Sequence, residues 1–579
     1  MPFDGFVTKK IVTELNQKLT GGKINKVFEP NKNEVILSIY NNGENYNLLL
    51  CANPDYCRVN LTNFSKPNPQ NAYNFCMLLR KYLVGGKIKE ISTFDLERTI
   101  KINFECYNEL NDLVTRKLYV EIMSRQSNII LTNENNMIID TLKHLELSSR
   151  ELLPAREYIF SPSNKQSFLN ITSFDEFKKY FNLNEESDDN YSIVKILFDN
   201  FIGFSKPLIK ETLKILEIEP TSKNIEDIQK IYSYFKNLSN SFNESTSVFK
   251  EINGKKDYVI YLESDDNIEN IPEEDLISAN EYIDNYYYQK EKYTNFINTK
   301  TVILKVVLSS LKKVYKKLEH INQKLKECDD MDSFRLYGEL LTANLYKYQN
   351  SPNLESIEVE NYYDNNNLIT IPLDKSIPVS KNIEKFFKKY NKLKNALTIV
   401  SEQKKETEKE LDYIESIVFS IENSKNLSDL NEIYLEISNN LTTKKEFQKK
   451  EKNKNKSKES KKNQEEMSFE IHNIDGFQIY VGKNNIQNDY ITHKLAGPND
   501  IWFHTQKIHG SHVLLKNPDG LDITEDILFK CACLAKENSK ANGSLNVSVD
   551  YCFARYVIKS PGYRHGMVIY TNFKTIIVK

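Results

Sequence analysis

Along the first 164 residues, apolar positions fall in short runs of partial period-two alternation separated by turn residues. The runs NEVILSIYNN, NYNLLLCAN, RTIKINFEC, KLYVEIM and SNIILTN are rich in β-branched and aromatic side chains, the pattern of half-buried strands. Two stretches change to helical spacing. TKKIVTELNQKL is closed by Gly21-Gly22 and QNAYNFCMLLRKYL by Gly85-Gly86, and glycine after the last periodic residue is a helix stop. Residues 1–164 therefore predict a β-rich α+β domain with a mostly antiparallel sheet.

Residues 165–284 turn helical and acidic. SIVKILFDNFIGFSKPLIKETLKILEI reads as two helices about a tight GFSKPL turn, a helix-hairpin-helix-like module. Such a turn can offer backbone amides to a phosphate, and plain helix packing fits the same pattern. Residues 285–447 predict a long antiparallel coiled coil. Its first arm carries Leu304, Leu308, Leu311, Tyr315, Leu318, Ile321 and Leu325 at steps of three and four. The second carries Leu393, Leu397, Val400, Thr407, Leu411, Ile414, Val418 and Ile421. Between them, SIEVENYYDNNNLITIPLDKSIPVS reads as a hairpin tip near 351–380.

Around the junction that follows, residues 444–462 hold ten lysines against three glutamates, and 448–467 reads as a basic flexible linker. Residues 468–579 predict a compact α+β domain. Strands FEIHNIDGFQIYVG and GSHVLLK lead to a helix opening at Asp522, with Glu525 three residues on as in a capping box. Strands SLNVSVDYC and YVIK and a closing hairpin, GMVIYTNFKTIIVK, complete it. The fold class is thus multidomain α+β.

Composition narrows the chemistry. Lys+Arg 78 against Asp+Glu 80 leaves a formal net charge of -2, so a polyanionic partner must be met by local basic patches. The eight cysteines include no C-x-x-C pair, which fits a reduced, cytoplasmic protein better than a disulfide scaffold. Neither a signal-like start nor an apolar run near the roughly 20 residues of a membrane helix is present.

Residues 500–516, DIWFHTQKIHGSHVLLK, hold the single tryptophan, Trp502, with His504, His509 and His512. Strand alternation and the break at Gly510 do not converge the three imidazoles, and Cys531 and Cys533 lack zinc-ligand spacing. There is no G-x-S-x-G, P-loop, G-x-G-x-x-G or H-E-x-x-H. We expect no catalytic residues, no cofactor and no metal. One enzymatic alternative rests on Pro2, whose secondary amine could form a Schiff base as in formamidopyrimidine-type DNA glycosylases. Phe3 stands where those enzymes carry an acid, and their cysteine zinc finger is absent. RNA binding fits better. Trp502, Phe503, Tyr551, Phe553 and Tyr556 offer stacking surfaces or core positions, and Lys507, Lys516, Arg555, Lys559 and Arg564 offer phosphate partners.

Longer motifs sharpen this. MPFDGFVTKKIVTELNQKLTGGKINKVFEPNKNEVIL, YVEIMSRQSNIIL, SSRELLPAREYIFSP, FRLYGELLTANLY and DGFQIYVGKNNIQNDYITHKLAGPNDIWFHTQKIHGSHV resemble the NFACT family nearly end to end. The resemblance implies a ribosome quality-control factor, cytoplasmic and free of membrane or DNA partners. Its partners would be tRNA (in bacterial members alanyl-tRNA), rRNA and a large ribosomal subunit obstructed by stalled peptidyl-tRNA. It would promote template-free alanine tailing of the stalled chain, with peptide-bond chemistry left to the ribosome, so the protein itself is not expected to be an enzyme. The coiled-coil tip would reach toward the base of the ribosomal stalk.

The family's tRNA-binding Asp-Arg pair falls on Glu97-Arg98, and its Glu-Ile-Met on Glu121, Ile122 and Met123, followed by Arg125. Ser124 stands where glycine is usual, and His509 where proline is usual. Trp502, His504, Lys507, Arg555 and Lys559 are the candidate RNA or ribosome contacts of the C-terminal domain. Family members have also been labelled fibronectin-binding, which leaves a surface adhesin as the alternative function.

Overall fold

The computed structural model describes residues 3–161, 163–181, 191–243, 247–252, 257–262, 278–348, 354–440, 469–559, 562 and 564–579. Pro2 and the basic linker 448–467 lie outside the described residues. The chain divides into two compact units, Met1–Lys292 and Tyr293–Lys579.

In the first unit, α1 (Gly5–Leu19) is followed by β1 (Lys23–Asn31), β2 (Glu34–Asn41), β3 (Glu44–Cys51) and β4 (Arg58–Leu61). Then come α2 (Asn74–Leu83), β5 (Lys87–Thr93), β6 (Thr99–Tyr107), β7 (Leu113–Glu121), β8 (Asn128–Thr132) and β9 (Ile138–Thr141). The nine strands form one antiparallel sheet in the order β4-β3-β2-β1-β5-β6-β7-β8-β9. Both predicted helix stops hold, with Gly21 at φ 87° and Gly85 at φ 87°. A small hairpin, β10 (Leu145–Leu147) and β11 (Arg150–Leu152), follows the sheet.

The helical module contains α3 (Phe174–Lys178), α4 (Ile193–Asn200), α5 (Lys206–Ile215) and α6 (Ile225–Asn240). It also holds a hairpin that the helical reading of 165–284 missed, β12 (Ser247–Ile252) paired with β13 (Asp257–Leu262). The continuous β-branched and aromatic run DYVIYL carries that signal; Tyr258, Val259 and Ile260 enter the core. Phe6, Phe168, Phe204 and Phe235 interlock there edge to face, so sheet, α1 and module share one hydrophobic core. The unit ends within α7 (Ala279–Cys328), whose Glu291 accepts from buried Arg58 at 2.7 Å and from Lys66 at 2.7 Å.

In the second unit, α7 is followed by α8 (Met331–Tyr348), a tip hairpin of β14 (Ser356–Asn361) and β15 (Asn367–Pro372), then α9 (Val379–Asn423) and α10 (Leu427–Asn440). Lys300 reaches the Glu422 carbonyl at 2.6 Å, Tyr315 bonds Glu415, and Lys317 meets Glu410 at 3.3 Å. Numbers that rise on one helix fall on the other, so α7 and α9 run antiparallel. The second-arm series is buried or half-buried throughout. On α7, however, the seam runs through Val307, Val314, Ile321 and Cys328, while Leu308 is 45% and Tyr315 46% exposed. Apolar residues at 307/308 and 314/315 define two adjacent stripes, and only the facing helix selects between them.

The C-terminal domain contains β16 (Glu470–Ile474), β17 (Phe477–Val481), α11 (Asn485–Tyr490), β18 (Ile501–Thr505), β19 (Val513–Leu515) and α12 (Glu525–Glu537). It continues with β20 (Val547–Phe553), β21 (Val557–Ile558), β22 (Ile569–Tyr570) and β23 (Lys574–Val578). Its main sheet has the order β16-β17-β19-β18-β20-β23. Two sequence expectations are corrected. Helix α12 opens at Thr524, whose hydroxyl accepts from the Ile527 amide, and not at Asp522. The closing segment is no hairpin: β22 pairs with β21 and β23 with β20. Asn572 at φ 51° breaks the run, and buried Asp550 accepts from Tyr570 at 2.8 Å and Thr575 at 2.7 Å, anchoring both pieces.

A buried polar seam joins this domain to the base of the coiled coil. Glu432 accepts from Asn484 at 2.7 Å and Gln487 at 2.8 Å. Glu436 accepts from Tyr413 at 2.8 Å and Asn485 at 3.1 Å, and Asn485 also reaches Ser416 at 2.9 Å. Burial raises the Glu436 carboxyl above its usual range. Among the described residues, no helix is long and apolar enough to cross a membrane.

The coiled-coil register is testable. Val307→Ala is expected to cost about 2 kcal/mol by opening a cavity in the seam, and Leu308→Ala less than about 0.5 kcal/mol. Thermal unfolding of the two variants checks this, and the reverse ranking would restore the alternative register.

Candidate nucleic-acid interface

The turn after β5 carries Glu97 and Arg98. It is held by the Glu97 amide on the Phe94 carbonyl at 2.8 Å and by the Thr93 hydroxyl on the Glu97 carbonyl at 2.9 Å. Antiparallel pairing of β6 with β7 sets Thr99 opposite Glu121, and the Ile122 amide donates to the Arg98 carbonyl at 2.9 Å. Two motifs separated in sequence thus become adjacent strand ends. Sequence alone could have found this by registering RTIKINFEC against KLYVEIM across the intervening turn.

Not every predicted residue faces solvent. Glu121 and Ile122 are fully buried, which excludes them as direct RNA contacts. The Glu121 carboxylate is gripped by both ends of the Arg150 guanidinium, at 2.7 and 2.8 Å, and by the Tyr158 hydroxyl at 2.8 Å. Met123 and Ser124 are half-buried and Arg125 is exposed. Ser124 takes φ 53°, a left-handed conformation that costs a side-chain-bearing residue roughly 1–2 kcal/mol, which accounts physically for the usual glycine.

Beside Arg98 opens a cavity of about 530 Å³ lined by Asp4, Glu97, Arg98, Lys165, Ser205 and Lys206 among others. Its floor depends on three backbones in close approach. The Gly5 amide donates to the Gly203 carbonyl at 3.0 Å, and a Cβ on Gly5 would stand 1.9 Å from the Leu96 carbonyl oxygen. Asp4 caps α1 through the Val7 amide at 3.1 Å and accepts from Ser205, the cap of α5, at 2.7 Å. Burial pushes the Asp4 carboxyl up to about 6, opposed by those two bonds and by Arg98. Burial also raises Glu97, with Arg98 opposing it. Lys165 and Lys206 lie over the Phe198 ring at 4.4 and 5.1 Å. The motif reading missed Asp4 and Lys165; Ser205 and Lys206 belong to the GFSKPL turn, already read as able to offer amides to a phosphate but not linked to Arg98.

In the C-terminal domain Trp502 leaves the candidate contact surface. It is fully buried on the sheet face opposite α12, packed by His504, His512 and Tyr570 at ring distances of 5.7, 5.0 and 5.0 Å. No base can stack on it. His504 beside it is half-buried, and burial lowers its pKa to about 4, so its ring is neutral at physiological pH.

The histidines do converge, contrary to the sequence expectation. Just past the last β18–β19 pair, Phe503↔Val513, the His504 and His512 rings lie 5.3 Å apart. His509 and His565 line the same cavity of about 110 Å³. His512 is tied to the Thr492 hydroxyl at 2.7 Å. Among the described residues no group of histidine, cysteine or carboxylate side chains is placed to hold a metal.

Lys516 is bound to Asp500 at 2.6 Å, and Lys559 to Asp489 at 2.6 Å. Arg564 stacks on Tyr413, and Tyr551 on Phe503. Lys507 is exposed at a turn with φ 57°. Arg555 is exposed, with its guanidinium 4.6 Å from the Phe553 ring and 5.3 Å from Tyr556. Those three residues form an aromatic-cation surface of the kind that receives unpaired bases.

Residues 4–459 match the NFACT N-terminal and middle domains, and residues 467–572 the NFACT protein RNA binding domain. The chain belongs to the NFACT family. It is 34% identical over 587 residues to the Rqc2 homolog RqcH of Bacillus subtilis, across 100% of this chain and 98% of that protein. With the Rqc2 homolog RqcH of Streptococcus suis the identity is 31% over 582 residues, again 100% and 98% of the two chains. The solved N-terminal structure of the fibronectin/fibrinogen-binding protein from Streptococcus suis is 28% identical, covers 50% of this chain and 99% of its own, and has a TM-score of 0.40.

The pH dependence of Asp4 is testable. Its folded pKa lies above the ordinary 3.8, so from about pH 4 to 6 the native chain keeps a proton that the unfolded chain has lost. Stability falls as pH rises through that window, by roughly 3 kcal/mol in total. Asp4→Asn keeps the cap without the buried charge. The variant is expected to melt higher than wild type at pH 7.5, and the gap to close toward pH 4; a gap that widens on acidification would contradict the assignment.

Proposed function

We propose that this protein is a ribosome-associated quality-control factor that binds tRNA and the large ribosomal subunit obstructed by peptidyl-tRNA. In this reading it holds charged tRNA, alanyl-tRNA in particular, for template-free extension of the stalled chain's C-terminus. The coarse part, a quality-control role with RNA and ribosome partners, is supported by end-to-end identity to proteins named as Rqc2 homologs and by the RNA binding domain. One observation carries the finer part. Pairing of β6 with β7 sets the Arg98 turn beside the Glu121–Arg125 segment, on the rim of a cavity that also presents Lys165 and Lys206.

A guanidinium and two ammonium groups around one opening match the phosphates of a folded RNA, and Arg98 can grip a phosphate in two-pronged fashion. Buried Asp4 and half-buried Glu97 place negative charge behind those cations and set their direction. The described site presents binding groups, and peptide-bond formation is assigned to the ribosome, with the protein supplying position. The Phe553–Arg555–Tyr556 surface would receive unpaired RNA bases at a second point.

The reading requires that a tagged copy, sedimented at low salt under conditions that preserve stalled complexes, travel with large subunits and carry tRNA. A protein that stays at the top of such a gradient would sink it. Arg98→Ala is expected to weaken tRNA binding, to lower the slope of log affinity against log salt by about one, and to abolish tailing while the melting temperature stays unchanged. Wild-type tailing by that variant would overturn the role of Arg98.

A further inference from the structure

Arg150 lies outside the cavity, yet its bonds lead to it along two paths. Its guanidinium and the Tyr158 hydroxyl grip the Glu121 carboxylate, and Tyr158 is stacked on Tyr119 at 4.0 Å. From Glu121 the next residue passes the restraint on, because the Ile122 amide holds the Arg98 carbonyl at 2.9 Å. Along the second path Arg150 also donates to the Ile159 carbonyl at 2.9 Å. The adjoining Phe160 packs its ring against Phe94 at 4.9 Å, and the Phe94 carbonyl receives the Glu97 amide at 2.8 Å. The turn bearing Glu97 and Arg98 is braced from its strand end and from its side, and both braces start at one guanidinium.

A buried ion pair of this kind is a weak source of net stability, because desolvation offsets most of the attraction. What it supplies is direction. The planar guanidinium holds both carboxylate oxygens in a rigid fork while also meeting a carbonyl, a fixed geometry that the single rotating nitrogen of a lysine does not reproduce. We propose that Arg150, with Tyr158, is a positioning residue for RNA recognition, acting through Glu121 to set the direction in which Arg98 is presented; this rests on the tRNA-binding reading above.

The test is a double-mutant cycle on the full-length protein. Binding of purified tRNA is measured across a salt series, well below each variant's melting temperature, for wild type, Arg98→Ala, Arg150→Lys, Tyr158→Phe and the two doubles with Arg98→Ala. Arg150→Lys and Tyr158→Phe are each expected to weaken binding about tenfold, within the usual coupling of residues in one network. Each should flatten the salt slope by about 0.7 to 0.9, as one lost phosphate contact does. Neither should add a further loss to Arg98→Ala. A purely structural role would leave the slope unchanged and make the losses additive, and either result overturns the proposal. If Arg150→Lys does not fold, the Tyr158→Phe cycle decides by the same criteria. Wild-type protein that fails to bind tRNA, or Arg98→Ala that binds as wild type, overturns the tRNA reading itself and the proposal with it. Wild-type affinity in Arg150→Lys and Tyr158→Phe, with Arg98→Ala impaired, overturns the positioning role alone.

Discussion

The register between β6 and β7 is the constraint on which the N-terminal site depends. Side chains alternate faces along each strand, so a slip of one residue would turn Ile100, Ile102 and Phe104 out of the core and Thr99 away from Glu121. Hydrophobic burial therefore fixes, as a by-product, which backbone amide meets the Arg98 carbonyl. Energy spent on the core is the same energy that aligns the two motifs. The sheet's central position for this pair, with β5 on one flank and β8 on the other, leaves neither strand a free edge along which to slide.

Charge is arranged on a smaller scale than the chain. A net charge of -2 gives no long-range attraction for a polyanion, so affinity has to come from places where cations are gathered and acids are held back. At the N-terminal cavity that is done by burial: Asp4 sits beneath the surface while Arg98, Lys165 and Lys206 border the opening. In the C-terminal domain the same rule removes residues from consideration. Lys516 and Lys559 are each neutralised by an aspartate, which leaves Lys507, Arg555 and Arg564 as the candidate cations with no acid partner in the described contacts, Arg564 being packed over the Tyr413 ring.

Much of the fold was legible because its signals are local. Period-two runs marked the strands of both sheets, and glycines at φ near 87° marked where α1 and α2 stop. Where two local signals compete, sequence could not choose. Val307 and Leu308 are equally apolar, and only the Ile414–Ile421 face of α9 decides which one is buried. The site was legible as motifs and not as geometry. Glu97, Arg98 and the Glu121–Arg125 segment were named from resemblance, but burial divides them into exposed and internal groups. Trp502 was misjudged because an aromatic beside histidines has the same composition in a core as on a surface. Asp4 and Lys165 were missed, and the GFSKPL turn was not joined to Arg98, because their proximity requires Gly5, Gly203 and Leu96 to meet, a contact with no sequence-local trace.

The polar seam between the coiled-coil base and the C-terminal domain carries a consequence for how the chain can vary. Glu432 and Glu436 on one side and Asn484, Asn485 and Gln487 on the other make an intramolecular complex between segments of one chain. For a flexible connection in general, closure entropy grows only logarithmically, about 0.6 kcal/mol for each doubling of length. Five matched side chains therefore set where the domain sits. Docking written in side chains rather than in the length of the connection is what lets two segments of one chain vary independently.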